Sequence, residues 1–207
     1  SGQSEDTTSG AISVNTADSG PEGVSGLVDV STGEALDGSS GSISLRTGNA
    51  TDGASGAVSV MVGEGDTGAG GEVRVEAGKT TDAAAGGLVT MTAGESTGSG
   101  SVGGAVSMTA GEGSSTSGGD GGAVVVTAGH SAGQSSSDYG GDVRVTGGSA
   151  DTGVGGSVVV TSGQSEDTTS GAISVNTADS GPEGVSGLVD VSTGEALDGS
   201  SGSISLR

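Results

Sequence analysis

Six aspartates recur at similar places in this sequence of 207 residues, each a few residues before a glycine-containing pair: Asp37, Asp52, Asp66, Asp82, Asp151 and Asp167. Carboxylate oxygens are the ligands that calcium prefers, and aspartates aligned by stacked repeats would form calcium sites. The nine-residue Gly-Gly-x-Gly-x-Asp pattern of calcium-binding repeats is absent, however, and aspartate also favours turns by bonding its own backbone. Calcium therefore stays an alternative, and no cofactor is predicted.

Residues for acid-base or nucleophilic chemistry are scarce. His130 is the only histidine and there is no cysteine, so the common zinc ligand sets cannot be assembled. Serine occurs in every repeat, which gives no basis for choosing a Ser-His-Asp set. The glycine-rich stretches lack the Gly-Lys-Ser/Thr of a phosphate-binding loop. We predict that the chain is not an enzyme and has neither catalytic nor metal-ligating residues.

Two polar patterns indicate other functions. Asn49-Ala50-Thr51 is an N-glycosylation sequon, so Asn49 is a candidate glycosylation site and glycans are candidate partners. A column of threonines recurs in consecutive repeats: Thr92, Thr109, Thr127, Thr146 and Thr161. Threonine arrays of this kind resemble those of ice-binding solenoids. The regular Thr-x-Thr grid is missing, and stacked threonines also favour strands by themselves.

A short repeat must position all these residues. Its clearest copy is Gly121–Gly129, in which a glycine pair precedes alternating valines and a Thr-Ala-Gly end. Thirteen copies follow one another at spacings of 15–19 residues, with a first apolar position from Ile12 to Ile204 and a second from Val14 to Leu206. Apolar alternation bounded by glycine predicts one short strand per copy. The Gly-, Ser- and Asp-rich stretches between them, including Pro21 and Pro182, predict turns.

These strands predict an all-β fold, a parallel β-solenoid of 15–19-residue units. One unit buries too little apolar surface to offset the entropy of ordering its backbone, so units must stack. Two or three strands per coil would let the valine rows face each other, and the small inward residues slightly favour a triangular prism. The competing interpretation is a disordered chain, since low hydrophobicity, high net charge and few aromatics are typical of disorder.

A longer repeat lies over the short one, because residues 1–46 and 162–207 are identical. Their offset is 161 residues. We therefore interpret 1–207 as a single continuous repeat array and as a segment of a longer chain, because both ends fall within the pattern.

The charge balance narrows the partners. The chain has 26 acidic and 5 basic residues, a formal net charge of −21, which disfavours nucleic acids and anionic lipids. No apolar run approaches the ~20 residues of a membrane helix, so no membrane insertion is predicted. The remaining partners are neighbouring repeats of the same chain or other copies in self-assembly.

The repeat units with Gly/Ser corners resemble the long tandem-repeat surface proteins of algae and other single-celled eukaryotes. That resemblance covers the whole chain and implies an extracellular or cell-surface location and a fibrous role. We expect a structural protein that forms a filament, sheath or surface stalk. The alternative is a binding module, either a calcium-dependent adhesin or an ice-binding solenoid.

Overall fold

The computed structural model describes residues 8–207, and this part of the chain contains neither a helix nor a strand. The first seven residues of the predicted array lie outside the described residues. Two units are distinguished, Ser1–Thr92 and Ala93–Arg207. Within each unit, short segments that carry the valines alternate with loops rich in glycine, serine and aspartate.

The valine-bearing segments have a constant length. Each begins at the second residue of the opening pair, which is always glycine, and ends six residues later at a residue that we call the neck residue. The twelve complete segments are 10–16, 26–32, 41–47, 56–62, 71–77, 87–93, 104–110, 122–128, 141–147, 156–162, 171–177 and 187–193. All variation in repeat spacing therefore falls in the loops between them.

Side chains two residues apart meet along these segments. Arg74 pairs with Glu76, and Arg144 pairs with Asp142 at 2.7 Å. Such i, i+2 contacts are typical of extended backbone, where alternate side chains point the same way. The alternation seen in the sequence thus corresponds to locally extended chain, although no neighbouring segment pairs with it in the described part.

The loops turn where their sequences predict. The chain turns at Pro21–Glu22 and at Pro182–Glu183, and it bends at each of the six recurring aspartates. Asp52 adopts a φ of 57°, the left-handed conformation that aspartate tolerates better than most residues. Turn placement from Gly, Pro and Asp is therefore confirmed.

The predicted parallel β-solenoid is wrong. A solenoid requires ladders of backbone hydrogen bonds between stacked segments, whereas residues 8–207 contain ten backbone–backbone hydrogen bonds, all at loop closures or turns. A folded chain of this length would have on the order of 140. Neither two nor three strands per coil is present, and the triangular prism is wrong for the same reason.

The valines are correspondingly exposed. None of the described residues is buried, and even Val62 and Val189, the least exposed of the large apolar residues, keep 49% of their surface in water. The chain exposes 20140 Å², against about 8,300 Å² for a compact protein of the same mass. No valine row therefore faces another one across a core.

Two features of the sequence account for this outcome. Each unit places only two apolar side chains at its alternating strand positions, such as Val124 and Val126, so many units must order together before any burial offsets the entropy lost. Stacking would also align the loop aspartates in columns about 4.8 Å apart. At that separation each neighbouring pair repels by about 0.9 kcal/mol in water.

Candidate functional site

The most regular structural feature is the closure of every loop at its base. The neck residue that ends one constant segment lies against the glycine that begins the next, and we call this pair a neck. The twelve necks are 16/26, 32/41, 47/56, 62/71, 77/87, 93/104, 110/122, 128/141, 147/156, 162/171, 177/187 and 193/202. The paired residues are nine to thirteen positions apart, and every neck joins the same two positions of the repeat.

Six necks are closed by one backbone hydrogen bond. The N–H of the neck glycine donates to the carbonyl oxygen of the residue after the neck residue, at 2.8 to 2.9 Å: Gly87 to Gly78, Gly104 to Gly94, Gly122 to Gly111, Gly141 to Gly129, Gly156 to Gly148 and Gly171 to Gly163. The neck residue in these six is alanine, glycine or serine. A small side chain therefore accompanies direct backbone contact.

The other six necks are closed by side-chain contact. Their neck residue is threonine in five cases and Val62 in the sixth. At Thr16 the methyl carbon would lie 3.1 Å from a Cβ on Gly26, and the Thr32 hydroxyl donates to the carbonyl of Gly41 at 3.3 Å. A β-branched side chain fills the space at the neck, which explains why the backbone bond found in the other six is not formed here.

At most of the hydrogen-bonded necks the donor glycine is crowded, whereas the glycine that accepts the bond is not. A Cβ on Gly87 would lie 3.0 Å from the Gly78 nitrogen, and one on Gly156 would lie 3.0 Å from the Gly148 nitrogen. A Cβ on Gly78 or Gly148 would meet no atom within 4 Å. The second residue of the opening pair is glycine in every repeat. A Cβ there would be crowded at eight necks, whereas at Gly41, Gly56, Gly171 and Gly202 its nearest neighbours would lie at 3.4 to 3.7 Å.

Necks are also where partial burial occurs. Most of the described residues that are not fully exposed are neck residues: Thr16, Ala77, Ala93, Ala110, Ala128, Gly147, Ser162 and Thr177. The loops beyond them are held by short polar bonds, such as Ala83 N–H to the Asp82 carboxylate at 2.8 Å and Thr168 N–H to the Ser165 hydroxyl at 2.9 Å. Closed loops of this size with adjacent ends are Ω-loops.

Several residues singled out from the sequence lie in or beside these loops. Asn49 is exposed in the loop 47–56 and directly precedes the turn around Asp52. His130 is exposed and follows Gly129, whose carbonyl accepts the bond of its neck. The threonine column Thr92 to Thr161 occupies the position just before the neck residue. The structure brings none of these groups into contact with one another.

The recurring aspartates remain separate as well. Within residues 8–207 no three His, Asp or Glu side chains converge as metal ligands, and no cavity is enclosed. The same part of the chain has no helix that is long and apolar enough to cross a membrane. The aspartates serve as turn residues, as the hydrogen bonds of Asp82 illustrate.

Sequence reasoning missed the neck, although the sequence contains its signal. That signal is the interval from the invariant glycine to a small or β-branched residue. It is six residues in every repeat, whereas the length of the loops varies. No family model, curated protein or solved structure matches this chain.

Proposed function

We propose that the chain is a structural protein, a component of an extracellular filament, sheath or surface stalk. The observation that carries this proposal is the closure of twelve successive loops at the same place in the repeat, six by a backbone hydrogen bond and six by a side chain, with constant segments between loops of variable length. A local geometry that recurs whatever the loop length suits a structural material, in which the length of the array matters more than any single residue. The proposal requires no reaction centre.

The surface chemistry supports the same role. Carboxylates outnumber basic groups by 26 to 5, and the two ion pairs among residues 8–207, Arg74–Glu76 and Arg144–Asp142, are largely exposed. A high net charge keeps a chain hydrated and opposes collapse. The partners that we propose are neighbouring repeats, further copies of the chain and attached glycans.

Immunolabelling of the source cells tests the location. Antibodies against the loop 128–141 are expected to label intact cells, and immunogold is expected to follow continuous linear or sheet-like material. Permeabilised cells serve as the comparison. Labelling that appears only after permeabilisation would contradict an extracellular stalk or sheath.

Glycosylation of Asn49 is a separate part of the proposal. Its side chain is exposed on a loop and thus accessible to a glycosyltransferase. When the chain is expressed through a secretory pathway, intact mass analysis is expected to reveal one enzymatically removable N-glycan, which Asn49→Gln abolishes. Asn15→Gln is the matched control, because Asn15-Thr16-Ala17 lacks the hydroxyl residue of a sequon. An unmodified Asn49 in the secreted chain would refute this part.

A further inference from the structure

We propose that the loops are a store of chain length that the necks release under tension, so that the protein has a mechanical function as an extensible element. This inference rests on the proposed structural role. The necks carry it, because each one shortens the path of the backbone by joining two residues that are far apart along the chain.

The length stored in a loop follows from its neck. In the loop 128–141 the Gly129 oxygen and the Gly141 nitrogen lie 2.9 Å apart, whereas the chain from Gly129 to Gly141 would span about 40 Å when extended. The shorter loop closed by Gly148 and Gly156, with 2.8 Å between the bonded atoms, would span about 27 Å. Opening one neck therefore adds roughly 25 to 40 Å to the fully extended length of the chain.

The neck is the first element to yield. The constant segments have no hydrogen-bonded partner to lose in the described part, whereas each bonded neck has a single backbone hydrogen bond. An exposed hydrogen bond makes only a modest net contribution because water replaces it. Forces on the order of a few piconewtons acting over the released length are then enough to open a neck.

The variation in loop length changes the amount of stored chain more than the ease of opening. Loop-closure probability varies weakly with length, so spans of nine and thirteen residues differ by only about 1.7-fold in closure equilibrium. Necks in series thus open over a narrow range of force, and each neck closes again when the tension falls.

Two isomeric variants test the inference in a low-force stretching experiment with magnetic tweezers. The neck-blocked variant carries Gly→Ala at the donor glycines 87, 104, 122, 141 and 156, where a Cβ would lie 3.0 to 3.3 Å from a backbone nitrogen. The control carries Gly→Ala at the acceptor glycines 78, 94, 111, 129 and 148, where a Cβ would meet nothing within 4 Å. Their composition, mass and charge are identical.

The control is expected to follow the wild-type force–extension curve. The neck-blocked chain is expected to be longer at forces below the opening range, by a fraction of the roughly 25 to 40 Å of extended length that each lost neck releases, because a released loop is a flexible coil at these forces. It is expected to converge with the others at high force. Coinciding curves for the two isomers would overturn the inference, since chains without necks cannot distinguish these positions.

Cysteine trapping gives a second readout that does not depend on how much an alanine disturbs the neck. The chain has no cysteine. A Cβ on Gly171 would lie 3.5 Å from that of Ser162, within disulfide range, and 3.5 Å from the Gly163 nitrogen, an ordinary contact distance. Ser162→Cys with Gly171→Cys should oxidise several times faster than Ser162→Cys with Ile173→Cys. Equal rates would overturn the inference. If the necks behave as described but the protein is found only inside cells, the extracellular role is contradicted and the inference about the necks still holds.

Discussion

The identity of the neck residue decides how a loop closes, and Ala110 offers a sharp test of this rule. Gly122 N–H donates to the Gly111 carbonyl at 2.9 Å beside the small Ala110 side chain. Replacing that side chain by threonine, as in the necks at Thr16 and Thr32, should push the two backbones apart and remove the bond. The change leaves residues 121 and 122 untouched.

The expected magnitude follows from the loss of one exposed hydrogen bond, about 1 kcal/mol. Since RT is 0.59 kcal/mol, the ratio of closed to open neck should fall about fivefold. The reciprocal change, Thr32→Ala, should let Gly41 N–H acquire a bond to Gly33, at the cost of the Thr32 hydroxyl bond to the Gly41 carbonyl.

Hydrogen exchange of the Gly122 amide, followed by NMR on labelled protein, measures this ratio. Because the intrinsic exchange rate depends on the amide's own residue and its predecessor, Ala110→Thr alters it only through the neck. Ala105→Thr makes the same chemical change at an exposed position outside the neck and is the control. If both variants leave Gly122 protection equal to that of the wild type, the steric rule is refuted.

Three further outcomes are expected. Deleting residues 135–137 should leave the Gly141 amide as protected as before, or up to about 1.5-fold more, because shortening a loop changes its closure entropy only slightly; exchange at Gly141 measures this. Arg144→Gln should change the closing equilibrium of the neck at Gly141 by less than about 1 kcal/mol, since its pair with Asp142 is largely exposed; hydrogen exchange at Gly141 measures this. Glu95→Gln should leave the protection of the Gly104 amide unchanged, because the neck is closed by backbone atoms; a dependence on that carboxylate would contradict the steric account.

The sequence predicts local structure well and long-range structure poorly. Pro21, Pro182 and Asp52 specify turns through their own backbone preferences, so their placement needs no partner. The alternation of Val124 and Val126 describes a side-chain pattern only. A strand also requires a neighbouring segment that supplies hydrogen bonds, and nothing in that pattern provides one.

The neck was equally open to prediction and was missed for a different reason. Glycine can serve a turn through a positive φ, and among the described glycines Gly68, Gly100 and Gly118 do so. The invariant glycines at the necks, such as Gly87, instead leave room for a close backbone approach. The sequence distinguishes the two roles, because the neck glycine is the residue of each opening pair that never varies among the repeats.

Closure by necks has a consequence for how such a chain can grow. A shared core couples every unit to its neighbours, so inserting a residue anywhere disturbs the packing of the whole. A neck involves only the two ends of its own loop, so loop length can vary, as between 77–87 and 128–141, while the seven-residue segments stay constant. Units can then be added or lost without rebuilding the rest. The identical 46-residue stretches 1–46 and 162–207 are what duplication of independent units produces, because no packing constraint requires the second copy to change.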